Sequence, residues 1–498
     1  MKNQPQLIAY VDRLSGGTFQ DLQQLLGGPL QGVFGGAHLL PFFHPIDGSD
    51  AGFDPIDHTH VDPRLGTWDD VGALASQTEL TADVIVNHIS RQSPQFTDYD
   101  ERGDDSPYAG MFLTYSRVFP HGAPESDLLA LYRPRPGLPF TKYQTSKGQP
   151  LLLWTTFTGE QIDIDVHHSE GRRYLDAVVT RLHRAGVRAV RVDAVGYAVK
   201  KAGTSCFMIP DTFAFIADFT ARAHALGIEV LVEIHGHYLE QIAIAQHVDW
   251  VYDFALPPLV LHTLYKRDAA PLKRWLEIRP SNAVTVLDTH DGIGVLDVGD
   301  DRQGRGAPGL LPPHDVDTLV ETIHRRSSGE SRLATGAAAR NLDLYQVNCT
   351  FYDALGRRDN EYLVARALQC FVPGIPQIYY VGLLAGGNDM ELLRRTEVGR
   401  DINRHYYTPP EVSEQLKRPV VQRLLSLLRL RNSHPAFNGA FRLVPTPADT
   451  IVMEWRIHAE LARLDVDLVN ARASVTCSRA GEDGPGDLVW QSTLEDEP

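Results

Sequence analysis

The stretch GVRAVRVDAVGY, residues 186–197, sets an arginine and an aspartate two positions apart inside a run of valine and alanine. Small and branched apolar residues on both sides of the charges describe a buried parallel strand. A lone carboxylate there is costly, so Asp193 needs a partner, and Arg191 projects from the same side of the strand. Comparable apolar runs recur: QLIAYV (6–11), GVFGGAHLL (32–40), ADVIVNH (82–88), IEVLVEIH (228–235), VDWVYDFAL (248–256), AVTVLDTH (283–290) and IPQIYYVG (375–382). With VRAVRVDAV (187–195) they number eight. Helical patterns lie between several of them. DTFAFIADFTARAHALG (211–227) carries Phe213, Ile216 and Phe219 on one face and stops at glycine, and NEYLVARALQCFVPG (360–374) ends in Pro-Gly. Eight strands alternating with helices predict an α/β chain, a closed (β/α)8 TIM barrel.

Two connections are too long to be plain loops. The expected barrel takes residues 1–88, 166–291 and 357–435. An inserted domain, 89–165, follows the third strand, and an inserted subdomain, 292–356, follows the seventh. Alternating runs such as TIVMEWRI (450–457) predict a C-terminal β-domain over 436–498. Both insertions leave the C-terminal ends of strands, where barrel enzymes build their sites.

Composition narrows the function. The 498 residues are 43% hydrophobic and 22% charged, with a net charge of −16, which argues against nucleic acid or an anionic membrane as partner. Cys206, Cys349, Cys370 and Cys477 are scattered without a CxxC pair, as in free thiols of a reducing compartment. The N-terminus lacks a signal peptide's apolar segment and no apolar span of membrane length occurs, so a cytoplasmic protein is expected.

Charged residues cluster at the strand ends. The third run ends in Asn87-His88, the fourth carries Arg191 and Asp193, the fifth Glu233 and His235, and the seventh ends in His290-Asp291. Three carboxylates on one barrel face suit glycosyl transfer through an oxocarbenium-like transition state. One serves as nucleophile, one as proton donor, and a third stabilises positive charge at the anomeric carbon. Arg191 favours ionisation of Asp193 by charge pairing, whereas a proton donor needs a raised pKa. A metal hydrolase is the alternative, since His58 and His60, and His235 and His237, form His-x-His pairs. His58 and His60, however, follow a Pro/Asp-rich loop instead of closing an apolar strand.

ADVIVNH, AVRVDAVGY (189–197), LVEIH (231–235) and LDTHD (287–291) resemble, in order, the four short motifs of the α-amylase superfamily. Longer segments resemble its sucrose phosphorylase family: DGSDAGFDPIDHTHVDPRLGTWDDV (47–71), YRPRPGLPF (132–140), AGTSCFM (202–208), ATGAAARNLDLYQVN (334–348) and GRDINRHYY (399–407). The resemblance runs from about residue 5 to 435. It implies retaining phosphorolysis of sucrose to α-D-glucose 1-phosphate and D-fructose, with ping-pong kinetics. By motif, Asp193 becomes the nucleophile, Glu233 the acid and base, and Asp291 the transition-state stabiliser. Asp50, His88, Arg191, His290 and Arg400 become polar sugar contacts, with Phe53 and Phe157 as aromatic walls. Tyr132 and Arg135, with Asp343, Tyr345 and Gln346, shape the acceptor site, where the arginine and tyrosine meet phosphate and the aspartate and glutamine meet fructose. Tyr197 is a further wall and His235 a further contact.

The same resemblance implies no cofactor or metal, with inorganic phosphate as co-substrate, although some superfamily members bind calcium through the residue matching Asn87. Homodimers occur in the family. HGHY (235–238) departs from the family's HSYY, and GVFGG (32–36) from its GVYDG. Rival readings are phosphorylases of sucrose 6′-phosphate, glucosylglycerol or glucosylglycerate, an amylase-like hydrolase or transglucosylase, and a non-catalytic barrel. The last is disfavoured because all three carboxylates are present.

Overall fold

A computed structural model of the chain describes all residues except 15, 49, 136, 302–305, 336–345, 480–485 and 495–498. All eight apolar runs form strands: β1 (Gln6–Ala9), β2 (Gly36–Leu39), β3 (Glu79–Ile85), β4 (Ala189–Asp193), β5 (Glu229–Val232), β6 (Trp250–Asp253), β7 (Ala283–Thr285) and β8 (Ile375–Tyr379). They close into one parallel barrel in sequence order, β8 pairing with β1. The (β/α)8 architecture is therefore as expected. Register places Arg191 of β4 directly beside Asp83 of β3.

Alternation sorts the strands into two faces. Val190, Val192, Val230, Val232 and Val84 are buried to 1% exposure or less, while the intervening positions of β4 carry the charges. The helix Pro210–His224 buries Phe215, Ile216 and Phe219, and Asp359–Phe371 lies buried from Tyr362 to Phe371.

The seventh run differs from expectation. Its strand ends at Thr285, and residues 286–291 leave the ladder because side chains take over their hydrogen bonding. The Asn403 amide donates to the Thr289 carbonyl at 2.8 Å, and Arg404 Nε to the His290 carbonyl at 2.8 Å. Likewise His88 lies beyond β3, in a short strand His88–Ser90 that pairs with Gln161–Asp163. His58 and His60 follow the Pro/Asp-rich loop in a two-stranded ribbon outside the barrel, Asp57–Val61 paired with Phe43–His44.

Between β3 and β4 lie short helices and a hairpin, Phe140–Gln144 with Pro150–Trp154. Leu113, Phe119, Leu131 and Trp154 pack there with Cys206. After the barrel, β9 (Ala440–Val444), β10 (Thr450–Ile457), β11 (Glu460–Asp467), β12 (Arg472–Arg479) and β13 (Asp487–Gln491) form an antiparallel five-stranded sheet. Trp455 of β10 donates to the Phe371 carbonyl at 2.8 Å, and Trp490 of β13 to that of Arg423 at 2.9 Å. Among the described residues no helix is long and apolar enough to cross a membrane.

Candidate active site

The charged pair in β4 is one segment of a polar chain through the barrel interior. Arg191 Nη1 donates to Asp193 Oδ1 at 2.8 Å and to Asp83. Asp83 Oδ2 meets His38 Nε2 at 3.0 Å, and His38 Nδ1 meets the Tyr252 hydroxyl at 3.2 Å. Tyr252 donates to Gln377 at 3.0 Å, whose amide donates to Gln6 at 2.8 Å. Six strands thus contribute to one buried network, and each charge has a partner, as a low-dielectric interior requires. Burial pushes Asp83 up, but Arg191 and His38 more than offset it and hold its pKa at about 2.

Above this network the carboxylates converge. Burial raises the Asp193 pKa well above the carboxylate range; Arg191 opposes the shift, and neighbouring Glu233, Asp83 and Asp291 add to it. Asp193 is thus under pressure to retain a proton. Glu233 Oε2 accepts the Ala194 N–H at 3.2 Å, and Oε1 lies 3.9 Å from Arg191 Nη2. Ala194 itself adopts a left-handed φ of 54°. Asp291 is treated oppositely. Burial raises it, yet Arg400 at 2.8 Å, His290 and Arg404 hold it far below the usual range. Burial lowers His235, but Asp297, hydrogen-bonded at 3.3 Å, with Glu233 and Asp291 brings its pKa above the ordinary value.

These groups face a cavity of about 570 Å³. Its walls include Asp50, Phe53, His88, Phe157, Tyr197, His290 and Arg400, all expected from sequence. Phe53 stacks on His290 with centroids 4.6 Å apart, and Phe157 meets His88 and Tyr197 edge-on. His88 Nε2 lies 3.0 Å from the Phe53 carbonyl, fixing the ring. Arg400 Nη1 reaches Asp50 at 3.9 Å, and burial of Asp50 is more than offset by Arg400, Arg404 and Arg135, which lower its pKa.

Not every expected residue lines this cavity. Arg191 lies beneath it, 2% exposed. Tyr132 stands behind Phe207, stacked at 4.3 Å, and Arg135 lies 6.0 Å over the Phe157 ring. Gln346 reaches His235 at 3.3 Å and accepts from the Gly292 N–H at 3.2 Å. Asp343 and Tyr345 lie outside the described residues.

A family model described as alpha amylase, catalytic domain, matches residues 33–234. The chain is 60% identical to the sucrose phosphorylase of Agrobacterium vitis, covering 96% of this chain and 98% of that one. It is 53% identical to the sucrose phosphorylase of Bifidobacterium adolescentis over 93% and 92% of the two chains. The crystal structure of sucrose 6F-phosphate phosphorylase from Thermoanaerobacter thermosaccharolyticum superimposes with a TM-score of 0.88 at 37% identity, covering 98% and 97%. The chain belongs to the sucrose phosphorylase family.

Several features of this sucrose phosphorylase family member escape sequence reasoning. Phe207 lines the cavity opposite Gly196, where a Cβ would come within 2.6 Å of the ring. The Lys200 ammonium fills the polar space beside Asn87, 2.5 Å from Asn87 Oδ1 and 2.5 Å from Asp163, and also bonds the Tyr197 carbonyl. Asn87 therefore holds a cation supplied by the chain itself. The His-x-His pairs separate. His58 is buried against Phe43 and meets the Tyr174 hydroxyl at 3.2 Å, while exposed His60 pairs with Asp57. His237, the departure from the family pattern, caps helix Tyr238–Ile244 and meets the Pro308 carbonyl at 3.1 Å. Its neighbour Gly236 leaves room for the Glu240 carboxylate. Among the described residues, the one cluster with ligand-type atoms within 4.8 Å of one another is Glu233, His235 and Asp291, inside the candidate active site.

Proposed function

We propose that this chain is a sucrose phosphorylase working by double displacement. The observation that carries the reading is the convergence of Asp193, Glu233 and Asp291 on one cavity, in a chain 60% identical to a sucrose phosphorylase. Asp193 attacks C1 of the glucosyl unit as the bond to the fructosyl oxygen breaks, and Glu233 gives its proton to that oxygen. Arg191, 2.8 Å from Asp193, favours the ionised form of the nucleophile. Asp291, held ionised by Arg400 and Arg404, stabilises positive charge at the anomeric carbon. Phosphate then attacks C1 from the face fructose left, Glu233 recovers a proton from it, and the ester to Asp193 breaks. Two inversions leave α-D-glucose 1-phosphate.

Asp50, His88, His290 and Arg400 bind the sugar hydroxyls, with Phe53 and Phe157 as apolar walls. Tyr132, Arg135, Tyr197 and Gln346, with Asp343 and Tyr345, serve the acceptor. The proposed setting is cytoplasmic, with small-molecule partners, no nucleic acid or membrane partner, no cofactor, and a homodimer as in family members.

Incubation with sucrose, with and without phosphate, tests the reading. Glucose 1-phosphate should form only with phosphate. Free glucose at a rate indifferent to phosphate would indicate a hydrolase. Turnover of glucosylglycerol or sucrose 6′-phosphate in preference to sucrose would move the assignment to another acceptor.

A further inference from the structure

A second cavity, of about 560 Å³, opens on the outer helical layer, away from the barrel mouth. Helices Leu256–Lys266 and Pro313–Arg326 wall it. His262 and Lys266, one turn apart, face it from the first helix, and Asp315, Thr318, Arg325 and Arg326 from the second.

His262 is 4% exposed, and neither ring nitrogen has a hydrogen-bond partner; Asp315 Oδ2 lies 3.7 Å from Nε2. A buried polar ring without a partner is uncommon and calls for a ligand or solvent contact. Burial lowers its pKa, so the ring is neutral and offers one N–H. Charge in the lining is one-sided. Lys266, Arg325 and Arg326 face a single carboxylate, Asp315, which already lies 3.6 Å from Lys266. Arg326 is anchored by Glu361 and by the Tyr265 ring 4.5 Å below it. Arg325 donates to Thr322 Oγ1 at 3.2 Å. In a chain carrying −16 overall, this is a local cationic hollow.

Its enclosed part, about 240 Å³, is larger than a bare tetrahedral anion needs. Fixed guanidinium and ammonium groups beside a neutral imidazole donor match a phosphoryl group. We propose that this cavity binds a phosphate monoester, with the phosphoryl group among His262, Lys266 and Arg325 and the organic part filling the remaining volume.

Equilibrium dialysis of labelled α-D-glucose 1-phosphate against the full chain tests this. Two variants serve, Lys266→Ala/Arg325→Ala, which alters exposed side chains, and His262→Phe. Ester bound at the barrel mouth is common to all three proteins and cancels in the comparison. The unsubstituted chain is expected to saturate one equivalent higher, or with at least about tenfold tighter affinity for that equivalent, than either variant. Equal saturation in all three proteins would overturn the proposal. So would the same difference with glucose, which lacks the phosphoryl group.

Discussion

Asp193 and Asp291 sit in one cavity, yet their surroundings drive them apart. Burial and neighbouring carboxylates raise Asp193, whereas Arg400, His290 and Arg404 outweigh burial and depress Asp291. The consequences for stability have opposite signs. A carboxyl raised in the folded state costs nothing below its unfolded pKa, and the cost grows as pH rises toward the folded value. Asp193→Asn is therefore expected to keep or raise Tm at pH 7, with a smaller gain at pH 4, while turnover of sucrose falls about 10³-fold or more. A depressed carboxyl stabilises above its unfolded pKa and loses that contribution as pH falls. Asp291→Asn should lower Tm at pH 7, and the deficit should shrink as pH drops through 4. Thermal melts of the two variants across pH decide it; shifts of the same sign at pH 7 would contradict these assignments.

At the scale of elements, the barrel interior departs from the branched apolar filling usual for the fold. His38, Asp83, Arg191, Tyr252, Gln377 and Gln6 join β1, β2, β3, β4, β6 and β8 through side chains. His38→Leu removes a partner from buried Asp83, so stability should fall by about 1–3 kcal/mol. Because Asp83 shares Arg191 with Asp193, kcat should fall while KM for sucrose changes little, and His38→Gln should recover part of both. Denaturant melts with steady-state kinetics check this. Lys200 does comparable work between β4 and the segment that precedes it. Lys200→Met leaves Asp163 buried without its cation, although Thr156 still donates to that carboxylate. A loss of about 3–5 kcal/mol, read as a lower denaturation midpoint, is expected. The eight strands were legible because valine-rich runs have few other uses, and the carboxylates because charge at a strand end needs a reason. His38, Tyr252 and Gln377 gave no such signal, since a polar residue in a strand reads as solvent-facing until the barrel closes over it. Lys200 was illegible because its partner Asn87 lies 113 residues away. The LDTH run looked like continued strand because its apolar residues are buried, but Asn403 and Arg404 take its carbonyls at Thr289 and His290.

For the whole molecule, buried histidines set the response to mild acid. Burial holds His58 and His290 at about 3, so both stay neutral in the folded state. Each binds protons less readily folded than unfolded, and stability is lost as pH falls below about 6.5, by up to about 1.4 kcal/mol per pH unit per group. His235, raised by Asp297, acts in the opposite direction. Tm should therefore decline between pH 7.5 and 5.5, and His58→Phe, which keeps a ring against Phe43, should flatten the decline. The three carboxylates and their supports form one unit within this frame, and the central claim is that they pass a glucosyl group through Asp193. Initial rates of glucose 1-phosphate formation over a grid of sucrose and phosphate concentrations test it most directly. Fructose leaves before phosphate attacks, so double-reciprocal plots should give parallel lines. Lines that intersect would contradict a covalent intermediate on Asp193.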